Sequence, residues 1–183
     1  MKRFPLEQYA SLELNQVAFS KTGLVVSQTP LGSEFTAAAP CENGMWVLAD
    51  KATGKISSAA AVTDTPIGIV YTAEKEYDNE HVGLKTFGRK IAGDYPRVGI
   101  FSVGDTVTSN CLQYDESEYA TETALYTALA ACETTPVYVS LVAGSPVPAL
   151  TGTKPVSGPY AKVTKFYTVP NGEKGVKYQI IKL

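Results

Sequence analysis

From Asn43 to Asp115 the chain is a succession of short apolar runs, each cut off by Gly, Pro, Asn or Asp before a helix of ordinary length could form. Met45-Trp46-Val47-Leu48-Ala49 follows an Asn-Gly turn and stops at Asp50. A polar turn through Gly54 leads to Lys55-Ile56, and Thr63-Asp64-Thr65-Pro66 introduces Ile67-Gly68-Ile69-Val70-Tyr71. This grammar builds strands joined by turns and is incompatible with a helical bundle. Thr, Val and Tyr are abundant, as a strand-rich chain requires. The expected fold is therefore all-β, a small barrel or sandwich.

Within this pattern Gly68 stands at the centre of a strand. A glycine there removes a side chain where another backbone or a bulky ring, such as Trp46, comes close. Pro66 lacks an N–H and suits the first position of a strand or an edge. Trp46, Ile67, Ile69, Phe101 and Val103 lie in the most regular runs and are the expected core. Further strands are expected at 23–29, at "HVGLKTFG" (81–88), in "PRVGIFSVGDTVTSNCLQY" and in "TPVYVSLVAG". One short helix is expected over 121–132. Ala124, Leu125, Ala128, Leu129 and Cys132 recur at helical spacing there, and Thr121 with Glu122 supplies a start.

Outside this body the composition changes. Residues 1–22 read as an N-terminal arm with apolar side chains on shifting faces, and 23–143 as the β body. Residues 144–159, dense in Pro, Gly, Ser and Thr, read as a linker, and 160–183 as a C-terminal β-hairpin around Pro170-Asn171-Gly172. Both ends carry apolar side chains with no evident claim on the body: Phe4, Leu6, Tyr9 and Leu12 at one, Phe166, Tyr167, Tyr178 and Ile180 at the other. Wet apolar surface favours association, so these eight residues are the expected interface.

The sequence offers no reaction. A formal net charge of -2 lacks the basic excess of a duplex-binding protein, so no nucleic-acid partner is expected. The opening "MKRFPLEQYASLELN" places Pro5, Glu7 and Gln8 where the apolar core of a secretory leader would lie. No run approaches the roughly 20 apolar residues that span a bilayer, so no membrane partner is expected either. Cys41, Cys111 and Cys132 are odd in number and widely spaced, which suits reduced, half-buried thiols. His81 is the single histidine; with Asp78 and Glu80 it sits in a polar turn, and neighbours on a strand converge poorly on a metal. The acidic stretch "YDESEYATE" (114–122) lacks the Gly and alternating ligands of a calcium loop. Neither a catalytic site, a metal nor a cofactor is expected.

The order "GMWVLADKATGKI", "TPIGIVYTAEK", "HVGLKTFG", "YPRVGIFSVGDTVTSN" resembles the small all-β decoration, or cement, proteins of tailed-bacteriophage capsids, over about two fifths of the chain. The resemblance implies a virion structural protein on the capsid exterior, made in the host bacterial cytoplasm, that binds and stabilises the major capsid protein. It also implies self-association, a trimer at a local three-fold being one form, with the two chain ends as assembly elements. Two other readings fit the composition: another virion component (a head fibre or tail protein), and a carbohydrate-binding β-sandwich with Trp46 and the tyrosines as an exposed stacking platform.

Overall fold

The computed structural model describes residues 1–6, 10, 12, 17–19, 25–50, 53–64, 66–72, 90–168 and 172–183. The expected strand at 81–88 lies outside them. The apolar runs of the central segment pair into a five-stranded antiparallel sheet made of β2 (Val25–Val26), β3 (Trp46–Asp50), β4 (Lys55–Ser57), β5 (Ile67–Val70) and β6 (Val98–Ile100), in the order β2-β6-β5-β3-β4. Because side chains alternate across a strand, Trp46, Leu48, Ile67 and Ile69 face one side, where the main core lies. Val47, Ala49, Val70 and Val98 face the other, where Leu31, Phe35, Cys41 and Met45 cover them. An antiparallel sheet usually leaves one face wet. Here both are covered, which is why all four residues of β5 are buried.

Gly68 is explained by this arrangement. It pairs with Val47 on one side and Ile100 on the other. A Cβ at Gly68 would lie 2.6 Å from Val98 Cγ1 and 2.7 Å from the Gly99 carbonyl oxygen. The close neighbour is the β6 backbone, and Trp46 stands one residue along, opposite Ile69.

The larger sheet has seven strands: β1 (Lys2–Arg3), β7 (Thr106–Ser109), β8 (Gln113–Tyr114), β9 (Tyr138–Val142), β10 (Ser145–Thr151), β11 (Tyr160–Thr168) and β12 (Lys174–Lys182), ordered β1-β8-β10-β9-β11-β12-β7. Only β8 and β10 run parallel. Two sheets around a shared core, with no closed barrel, make the fold an all-β sandwich.

Pairing crosses the boundaries drawn from composition. The described residues of 1–22 do not form a free arm. Lys2 pairs with Tyr114 and Arg3 with Gln113, the Phe4 N–H donates to Leu112 O at 2.9 Å, and Leu12 and Ala18 bridge to Ser109 and Thr106. These described residues thus lie antiparallel along 106–114. The hairpin is likewise internal, since β11 pairs with β9 and β12 with β7. The expected linker begins as a strand: β10 runs through Pro146 and Pro148, at an irregularity between Ser145 and Ala149 that spares the prolines a ladder N–H. Val103 is also corrected, being 59% exposed. The Asp105 carboxylate accepts the Ser102 N–H at 2.7 Å and the Asp105 N–H donates back to Ser102 O, a turn that points Val103 outward.

The helix α1 spans Glu122–Ala130, with the Thr121 hydroxyl accepting the Ala124 N–H at 3.1 Å as N-cap. Leu125 and Leu129 enter the core. Tyr126 stacks on Phe4 and Phe166 at 5.9 and 5.3 Å between ring centroids.

At the centre of the sandwich Trp46 is fully buried, its indole N–H donating to the Tyr178 hydroxyl at 3.1 Å and its ring 5.3 Å from Phe101. Trp46→Ala should cost about 3–5 kcal/mol in chemical denaturation. The native protein should emit as a shielded tryptophan, and a near-neutral substitution would contradict the buried geometry. Gly68→Ala should cost about 1–3 kcal/mol, because the Gly99 carbonyl cannot swing aside as a side-chain tip can. A melting temperature equal to that of the unmodified protein would refute that contact.

Candidate functional site

A cleft of about 770 Å3 lies between the first strand and the 34–42 loop, with the β9–β10 turn on its far wall. Its polar apparatus is small. Arg3 donates to the Glu42 carboxylate at 2.9 Å, and the Ala10 N–H reaches the same oxygen at 3.4 Å. The Glu42 N–H donates to Met45 Sδ at 3.2 Å. Glu34 accepts the Ser58 N–H across the cleft mouth. A carboxylate already engaged by a guanidinium and a backbone N–H is a poor general base. What these bonds do is anchor the first strand to the turn before β3.

Behind this wall Cys41 and Cys111 share the second core. Burial pushes the Cys111 thiol up to about 12, with Arg3 pulling the other way. Burial, reinforced by Cys111, also pushes the Cys41 thiol well above its ordinary value. Neutral, enclosed thiols are neither nucleophiles nor ready metal ligands. All three cysteines are free and buried. Among the described residues no three His, Cys, Asp or Glu side chains gather as a metal group. His81, Asp78 and Glu80 lie outside the described residues.

The acidic stretch serves local structure. Glu116 pairs with Lys2 at 3.3 Å. Asp115 accepts the Ser117 N–H at 2.9 Å, and that bond holds its carboxyl below the usual range. Glu118 accepts the Gly152 N–H and Glu122 opens the helix.

Of the eight residues expected at an interface, the described ones belong wholly or in part to this chain's own core or sheet. Phe4, Tyr178 and Ile180 are in the core, and Leu6, Leu12 and Phe166 pack against it half-buried. Tyr167 is half-buried within β11, and Tyr9 lies outside the described residues. The physical reason is the sheet order: the apolar side chains at the ends complete this chain's own core. Among the described residues, several exposed large apolar side chains sit on turns and loops: Val62, Ile91, Tyr95, Val103 and Val156. Sequence reasoning missed these surfaces. The available signal was an isolated apolar residue amid turn formers, as in "KPVSGP".

The thiols give a prediction with a definite sign. Between its ordinary value near 9 and about 12, Cys111 holds its proton in the folded protein and loses it in the unfolded chain. The native state then binds more protons, so stability falls as pH rises through that window. Cys41 and Tyr178, both raised by burial, act in the same direction. Cys111→Ala should flatten the alkaline limb of a stability–pH curve. In the native protein at mildly alkaline pH the thiols should resist an aromatic disulfide reagent until denaturant is added. Rapid native labelling of Cys41 or Cys111 would contradict their burial.

No family model, curated protein or solved structure matches the chain.

Proposed function

We propose that the chain is a virion structural protein that decorates and stabilises a tailed-phage capsid by binding the major capsid protein. The observation that carries this reading is the arrangement of the segments behind the resemblance. Its first, second and last segments supply β3 to β7 in chain order, and the third lies outside the described residues. They form a body whose edges are short or covered. Such edges do not recruit strands from other chains, so contact falls to side chains on turns.

The turn 91–95 suits that task. It presents Tyr95 at 61% and Ile91 at 44% exposure. The Asp94 carboxylate accepts the Ile91 N–H at 2.8 Å. The Leu31 N–H donates to Asp94 O at 2.9 Å and the Gly93 N–H to Leu31 O at 3.2 Å. An aromatic residue on a braced turn is a good interface anchor. Repetition over a symmetric shell multiplies even a weak contact. The carbohydrate-binding reading loses Trp46 from its platform, since that ring is buried.

The test is addition of purified protein to preassembled capsids that lack it, followed by co-sedimentation. Binding should saturate at a fixed ratio to the capsid subunit and raise the temperature at which shells open. Tyr95→Ala should weaken it by about 2 kcal/mol, roughly thirty-fold. Shells that bind nothing would overturn the proposal. Binding to tails or to host surface glycans in their place would do the same.

A further inference from the structure

The two sheets differ in charge. No strand of the seven-stranded sheet contains an Asp or Glu, while β11 and β12 carry Lys162, Lys165, Lys174, Lys177 and Lys182. The chain's 18 acidic residues therefore lie outside these strands, and a net charge of -2 conceals a basic sheet. Lys174 is used locally, donating to Thr168 Oγ1 at 2.8 Å. Lys162, Lys165 and Lys177 are not: no ion pair among the described residues involves them. Glu173, the one acid of the hairpin sequence, is buried and accepts from Asn110 Nδ2 at 3.0 Å.

Register brings these three lysines together. Val163, Val176 and Tyr178 face the core, so the residues that alternate with them face away. Lys162 stands between Tyr138 of β9 and Gln179 of β12, and Lys165 is directly opposite Lys177. Lys165 follows Lys162 by three positions, which in a regular strand would put it on the opposite face. The pairing of β11 with β12 shifts between Val163 and Lys165, and the extra residue turns Lys165 back to the face of Lys162. Thr164 holds this bulge by donating from its hydroxyl to Lys177 O at 3.1 Å. Like charges directly opposite one another weaken a sheet. A local rule broken without a compensating partner in the fold marks a functional position.

We propose that the Lys162–Lys165–Lys177 face of β11 and β12 is a docking surface for a carboxylate-rich polypeptide segment of another protein. Carboxylates seated among the three ammonium groups supply the countercharge that the sheet lacks and relieve the Lys165–Lys177 repulsion. Lysines act as point charges and demand no planar, two-pronged acceptor, which suits the flexible side chains of an acidic segment. The neighbouring rings do not favour a nucleic acid. Tyr138 packs against Tyr160 at 5.9 Å with the rings steeply inclined, and Lys154 Nζ lies 5.9 Å from the centre of the Tyr160 ring. They pack on one another rather than standing as a platform on which bases stack. This surface is separate from the 91–95 turn, and an acidic partner need not be a capsid subunit, so the inference holds or fails apart from capsid binding.

Fluorescence anisotropy of a labelled oligoglutamate peptide, titrated with the intact protein at low and high salt, tests it. Saturable binding that weakens with salt is expected, with no binding of an oligoglutamine peptide. The double substitution Lys165→Gln and Lys177→Gln should weaken binding roughly ten-fold. Its melting temperature should not fall, because the opposed charges are gone. Lys55→Gln, an exposed lysine of the other sheet, makes the same change per residue in net charge and should leave binding as it was. Absence of oligoglutamate binding at low salt overturns the proposal. So does binding that the double substitution leaves intact, or that Lys55→Gln weakens equally. Tighter binding of an oligothymidylate of matched charge would assign the face to nucleic acid and overturn it as well.

Discussion

One hydrogen bond joins the two sheets at their centre, from the indole N–H of Trp46 to the hydroxyl of Tyr178, 132 residues further along. Both rings are fully buried, and a buried indole N–H or phenol O–H without a partner costs about 1–3 kcal/mol. The Tyr178 oxygen accepts the indole N–H, so the smaller sheet's largest side chain depends on the last strand of the chain. Phe101 against Trp46, and the neighbouring Val176 and Ile180, fill the space around the bond. The sandwich is therefore completed only when the C-terminal hairpin docks. Pairing of this separation is slow to form and cooperative once formed.

The same dependence holds at the other end of the chain. The segment 106–114 lies at one edge of the larger sheet as β7 and near the opposite edge as β8. The N-terminal residues run along it, Ala18 beside Thr106 and Lys2 beside Tyr114. Phe4 enters the core from this strip and meets Tyr126 of α1, which in turn stacks on Phe166 of β11. First strand, helix and last hairpin thus share one aromatic contact. The Arg3–Glu42 pair, half-exposed at the guanidinium, fixes the register of the strip more than it adds stability.

What the sequence made legible was local. Short apolar runs between turn formers located β3 and β5, and the Thr121 cap with the Leu125–Leu129 spacing located the helix to within two residues of its end. A glycine inside "PIGIV" correctly signalled a close backbone approach. What stayed hidden was set by partners distant in sequence. Val103 reads as a strand residue, yet the Asp105 side chain takes the Ser102 N–H and makes a turn of it. Pro146 and Pro148 read as a linker, and only the irregular pairing of β10 with β9 shows how a strand accommodates them. The apolar residues at the two ends read as interface because their neighbours, Leu112 and Trp46 among them, lie far away along the chain. At the functional level, composition could register the small net charge. It could not indicate which turns would hold apolar side chains out in water.

Those turns are rigid, and that property links the fold to recognition. Ordering a flexible loop on binding costs on the order of 0.5–1.5 kcal/mol for each side chain immobilised. The 91–95 turn is tied to Leu31 by two backbone hydrogen bonds and to its own Asp94 carboxylate. The 152–158 loop is tied to Glu118 and pressed onto the Val62 carbonyl. In each case the restraint comes from the covering layers of the sandwich, from Leu31 over the second core in one and from the acidic 115–118 turn in the other. The residues that cover the sheets therefore also hold the exposed side chains in place. An apolar group presented this way keeps most of the gain from leaving water when a partner arrives.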